Sequence, residues 1–203
     1  PNQIKKAADE LIKCKQPIII AGGGVLYSEA EEEISYFAKK HNIPVTATVM
    51  GIGCMTKDDP YYISAIGCLG EGSSNNLASD TDLALAVGTK LGDFTTGSWT
   101  NFENENFKLV SINTSRFDTT KHRATPVVSD AKVGLKELSR ALGDWKAPNE
   151  WYRQAMKERD AWDAYVTKES GPTNQELPSY AHAVGAVYRN ADASDIVVTA
   201  AGG

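Results

Sequence analysis

Residues 17–25 read PIIIAGGGV, an unbroken apolar run that passes straight into a glycine cluster. A run that is apolar at consecutive positions leaves no face for solvent, so it predicts a strand covered on both sides, as in a parallel sheet. The pattern returns in IPVTATV (43–49), TDLALAVG (81–88), FKLVSIN (107–113) and, shorter, TPVVS (125–129). Helical periodicity fills the spaces between. Ile4, Ala7, Ala8, Leu11 and Ile12 precede the first strand, and Ala30, Ile34, Phe37 and Ala38 follow it, with Ser28 and Glu31 spaced as a capping box. A later helix carries Val133, Leu135, Leu138 and Leu142, with Asp130 placed to cap its start and Gly143 just beyond its end. Strands alternating with helices specify an α/β fold, a doubly wound parallel sheet of five or six strands with right-handed crossovers.

From Ala147 the pattern changes. PNEWYRQAMKERDAWDAYVTKES reads as a long charged helix with Trp151, Ala155, Trp162 and Tyr165 on one side, and GPTNQELP as an exposed, flexible linker. Ser179 then starts a helix with Ala183, Val184, Val187 and Tyr188 facing inward, and DIVVTAAGG reads as a strand entering a glycine turn. The expected organisation is a central α/β domain over 1–145, a connecting helix and linker over 146–178, and the truncated start of a second α/β domain over 179–203. The opening at Pro1 fits a piece of a longer protein.

A net charge of −5 argues against nucleic acid or an anionic membrane as partner, because neutralising phosphates takes clustered Lys and Arg. Cys14, Cys54 and Cys68 are odd in number and lack CxxC spacing, which suits buried thiols in a reducing, cytoplasmic setting. No apolar run approaches the roughly 20 residues of a membrane span.

The turn Gly22, Gly23, Gly24 stands where a dinucleotide fold cradles pyrophosphate. The fingerprint G-x-G-x-x-G fails at Tyr27, and strand two ends in Thr46 and Thr48 instead of an acid for a ribose. A tight strand-to-helix turn is therefore the preferred reading. A second glycine group, AIGCLGEGSSNN, suits either an approach to a phosphate or adenine or a close crossing of two backbones. Gly88 ends a core strand in AVGTKLGDF, beside the polar groups Lys90 and Asp93. His41, His122 and His182 lack metal-ligand spacing and read as surface or packing residues. No catalytic residue and no metal ligand is assigned.

Four segments, ADELIKCKQPIIIAGGGVLYSEAEEEI, HNIPVTATVMGIGCMTKDDPYYISAIGCLGEGSSNN, TDLALAVGTKLGDFTT and LVSINTSRFDTTKH, together resemble the Rossmann-like central domain of thiamine-diphosphate-dependent enzymes. The resemblance covers about the first 145 residues. It implies a parent whose missing N- and C-terminal domains hold thiamine diphosphate and Mg²⁺, with no cofactor on the present chain. It implies a homodimer or homotetramer and places Ala201, Gly202 and Gly203 against the cofactor. Within the family, the tail ELPSYAHAVGAVYRNADASDIVVTAAGG is most similar to the branch that opens a cyclic dione, a small-molecule substrate from inositol breakdown, with acetolactate synthase-like enzymes as the competing branch. Flavin-binding relatives often carry arginine near the position of Lys90 and aspartate near that of Asn113. Those departures favour a scaffold over a free-standing FAD, ADP or NAD module.

Overall fold

The alternating destinations of Ile18, Ile19, Ile20 and Ala21 show why the first run had to be apolar throughout. In the computed structural model, which describes residues 2–192 and 194–198, all five residues of β1 (Pro17–Ala21) are buried. Ile19 and Ala21 face one helical layer and Ile18 and Ile20 the other. Six parallel strands form the sheet, adding β2 (Val45–Ala47), β3 (Tyr62–Ala65), β4 (Leu83–Val87), β5 (Lys108–Asn113) and β6 (Thr125–Val128). Their order, β3-β2-β1-β4-β5-β6, reverses between β1 and β4. This is the doubly wound arrangement expected.

On one face α1 (Asn2–Leu11), α3 (Glu31–His41) and α7 (Ala131–Leu142) bury Leu11, Phe37 and Leu138 against the sheet. On the other lie α4 (Gly72–Asp80) and α8 (Asn149–Glu169), with Leu77 and Trp151 inside. Trp151 also donates from Nε1 to the Pro17 carbonyl at 2.7 Å, closing a buried backbone acceptor at the start of β1. Short helices α2 (Gly23–Tyr27), α5 (Asp93–Thr96) and α6 (Arg116–Thr120) follow β1, β4 and β5. Among the described residues no helix is long and apolar enough to cross a membrane.

Several local expectations are corrected. Ser28 does not cap α3, because α2 intervenes and Ala30 takes the N-cap; the Ser28 hydroxyl instead donates to Asp130 Oδ2 at 2.6 Å. Asp130 does cap α7, accepting from the Val133 amide, and Gly143 closes it with φ +59°. Val133 itself is exposed, since Ala131, Gly134, Leu135 and Leu138 occupy the inward face. Cys54 is buried, but Cys14 is half-buried and Cys68 exposed, all three as free thiols. β3 answers to no predicted strand: it is a four-residue edge strand behind the polar run KDDPYY.

Residues 1–160 and 161–203 form two separate compact units. In the second, α9 (Tyr180–Asn190) starts at Ser179 as read, the hydroxyl accepting from the His182 amide. Its expected inward face is exposed at Ala183, Val184, Val187 and Tyr188, and of α9 only Gly185 is buried, because the described residues of this unit supply no sheet to cover it. The segment 172–178 has neither helix nor strand, and neither do Asp195–Val198. Ala201, Gly202 and Gly203 lie outside the described residues.

Candidate functional site: the crevice at the strand reversal

Where the sheet reverses, the loops leaving β1 and β4 part and open a crevice of about 570 Å³ at the strands' carboxyl ends. This is where doubly wound sheets place ligands. The glycine turn forms its floor, and two of its three amides are already committed. Gly22 N–H donates to the Val87 carbonyl at 2.8 Å and Gly24 N–H to the Gly88 carbonyl at 3.0 Å. A phosphate would have to compete with both. The glycines serve contact of backbone on backbone: a Cβ on Gly24 would lie 2.6 Å from Gly88 Cα, and Gly88 has φ +63°. The tight-turn reading of AGGGV follows from this geometry. Gly51 is a further member that sequence reasoning missed, because a Cβ there would strike the Ala21 backbone at the end of β1.

Asn113, at the end of β5, fixes the loop after β4. Its Nδ2 donates to the Thr89 carbonyl at 3.2 Å while its Oδ1 accepts from the Ser115 amide at 2.9 Å. With both ends of the amide used, it serves as a loop clamp. Lys90 is exposed on the crevice wall, and Thr46 is spent inside, its hydroxyl donating to the Ile19 carbonyl. The Lys121 ammonium, 2.7 Å from Asp118 Oδ1, holds the Asp118 carboxyl below the usual carboxylate range, with Ser115 and Lys90 acting in the same direction. Asp93 and Asp118 both line the crevice, and acidic side chains are unfavourable neighbours for a polyphosphate.

The second glycine group also resolves into a crossing of backbones. Asn75 makes a reciprocal pair with Gly67, accepting from its amide and donating to its carbonyl, both at 3.0 Å. Gly67 has φ +113°, and the next amide, Cys68 N–H, donates to the Phe94 carbonyl at 2.8 Å.

The three histidines are far apart in role. His41 is fully buried, bonded to the Trp145 carbonyl at 2.7 Å and to Ser139 Oγ at 2.9 Å. His122 packs on Trp99 with ring centroids 4.3 Å apart, and His182 completes the α9 cap. Among the described residues no three His, Cys, Asp or Glu side chains are grouped so as to hold a metal ion. The described lining of the crevice holds no paired nucleophile and base.

The family model described as thiamine pyrophosphate enzyme, central domain, matches residues 4–138. Curated relatives include a 3D-(3,5/4)-trihydroxycyclohexane-1,2-dione hydrolase of Clostridium botulinum, 44% identical over 128 residues, or 63% of this chain and 20% of the relative. Its namesake in Geobacillus thermodenitrificans is 37% identical over 195 residues, 91% of this chain and 30% of the relative. That of Clostridium perfringens strain 13 is 36% identical over 161 residues, 79% of this chain and 25% of the relative. The chain thus spans less than a third of the length of these proteins.

Proposed function

The chain belongs to the thiamine pyrophosphate enzyme family as a central domain, and on that premise we propose that its parent opens the ring of 3D-(3,5/4)-trihydroxycyclohexane-1,2-dione by hydrolytic C–C cleavage. The observation that carries this reading is the 37% identity to a hydrolase of that name across 91% of the chain, which reaches past the central domain. Acetolactate synthase-like activity is the competing outcome.

The described residues do not fit thiamine diphosphate. The crevice spends the amides of Gly22 and Gly24 on its own backbone, and no side-chain group suited to a metal is present among the described residues. No step of the reaction is assigned to those residues. We assign thiamine diphosphate and Mg²⁺ to the flanking domains, with Ala201, Gly202 and Gly203 as the point where this chain meets the cofactor. The proposed organisation is a central domain over 1–145, a connector over 146–178 and the first part of the cofactor domain over 179–203. A cytoplasmic homodimer or homotetramer is the proposed setting of the parent. The central domain's part is then to hold flanking domains in register.

Assay of the full-length parent on the cyclic dione and on pyruvate tests the reading. Ring opening of the dione is expected, and turnover of pyruvate alone would overturn it. The 203-residue chain should turn over neither substrate and should show no heat of binding with thiamine diphosphate.

A further inference from the structure

Four large apolar side chains stand half or more exposed around the crevice: Tyr27 at 87%, Val49 at 51%, Met50 at 67% and Phe94 at 72%. They come from three separate connections, the helix after β1, the turn after β2 and the helix after β4. Chains that fold for solubility keep such groups scattered, and a concentration of them around one concavity marks a surface that is covered in the working protein. The floor beneath is unsuited to a polyphosphate, for the two reasons already given: the amides of Gly22 and Gly24 are donated to Val87 and Gly88, and Asp93 and Asp118 add acidic side chains.

The length of the relatives says what is available to cover it. This chain matches 30% of the Geobacillus thermodenitrificans hydrolase, leaving 70% of that protein outside the match. We propose that the rim of Tyr27, Val49, Met50 and Phe94 is the docking surface for an apolar segment of the parent's flanking domains, and that this segment occupies the crevice in place of a nucleotide. The exposed Lys90 and Asp93 side chains on the wall offer one group of each sign, and Asp118 is paired with Lys121, which together suit a segment without net charge. The inference rests on membership of a multidomain family and not on the identity of the substrate, so it survives a parent that turns over only pyruvate.

Met50 is a native probe of the surface, and Met55, 8% exposed, is an internal control. Peroxide oxidation is followed by peptide mass spectrometry on the 203-residue chain and on the full-length parent. Sulfoxide formation at Met50 should be at least about tenfold slower in the parent, since thioether oxidation follows exposure, and slow at Met55 in both. Equal rates at Met50 in chain and parent would overturn the proposal. Protection in the chain alone that grows with its concentration would assign the surface to a second copy and overturn it too, as would protection of the chain by added ADP or FAD. As a second reading, Phe94→Ser should lower the melting temperature of the parent and leave that of the chain unchanged. A shift in neither would count against docking at this rim.

Discussion

If Gly88 is a glycine because backbone meets backbone, alanine there carries two penalties that can be measured apart. The first is conformational, since φ +63° is left-handed and costs an L-residue about 1–2 kcal/mol. The second is steric: the new Cβ would lie 2.6 Å from Gly24 Cα, about 1 Å inside a normal carbon contact, and no rotamer can relieve it. Overpacking of that kind costs about 1–3 kcal/mol, so Gly88→Ala should lose about 2–5 kcal/mol in all. Two other glycines supply the controls. Gly53 has φ +99° and nothing within 4 Å of the place a Cβ would take, so Gly53→Ala should show only the conformational part, about 1–2 kcal/mol. Gly92 has neither penalty, and Gly92→Ala should fall within about 0.5 kcal/mol of the unsubstituted chain. Urea unfolding of the chain, read as the midpoint at constant slope, gives all three. A Gly88→Ala loss no larger than that of Gly53→Ala would refute the backbone contact. Unchanged stability together with loss of nucleotide affinity would restore the phosphate reading of AGGGV.

Three further outcomes follow from particular contacts. Trp151→Phe leaves the Pro17 carbonyl buried without its 2.7 Å donor and should cost about 1–3 kcal/mol, whereas Trp151→Ala also opens a cavity and should cost about 3–5 kcal/mol in the same unfolding assay. Burial, with help from Lys40 and Lys146, holds the His41 pKa below its ordinary 6.5, so the unfolded chain takes up the proton first as pH falls. The stability this group contributes is therefore complete above that value and declines as pH drops through it; a His41→Gln chain should lack that part of the pH slope, and an unchanged slope would refute the assignment. Limited proteolysis should cut first within 171–178, which has no helix or strand beyond Gly171, and early cleavage inside 17–142 would contradict the burial there.

How much was legible depended on whether a residue's partner is local. Ile18 to Ala21 announced a two-faced strand because the sheet and both helical layers act on consecutive side chains, and β1 carries that record in five residues. Asp130 was readable as a cap because its partner, the Val133 amide, is three residues away. β3 was not readable, since at an edge, behind KDDPYY, only Ile63 and Ser64 of its four residues are buried. Ser28 misled for a related reason: its spacing to Glu31 fits a capping box, but a carboxylate from the far end of the domain, Asp130, outcompetes a local amide for the hydroxyl. Val184 and Val187 kept the periodicity of a packed helix although nothing described in their unit covers them, so periodicity records which face is meant for burial without saying what buries it.

The glycine turn is the sharpest case of that distinction. A phosphate cradle and a crossing of two chains both require a residue without Cβ and a backbone free to approach, so Gly22 and Gly24 look alike under either. What separates them is the fate of two N–H groups. Their acceptors, Val87 at the end of the next strand of the sheet and Gly88 just after it, lie far along the chain. Only the register of β1 on β4, Ala21 beside Val87, decides that the amides close the crevice floor instead of a ligand. The motif was visible in the sequence. Its meaning depended on which strand becomes the neighbour of β1, and in a doubly wound sheet that neighbour is set by the topology of the reversal.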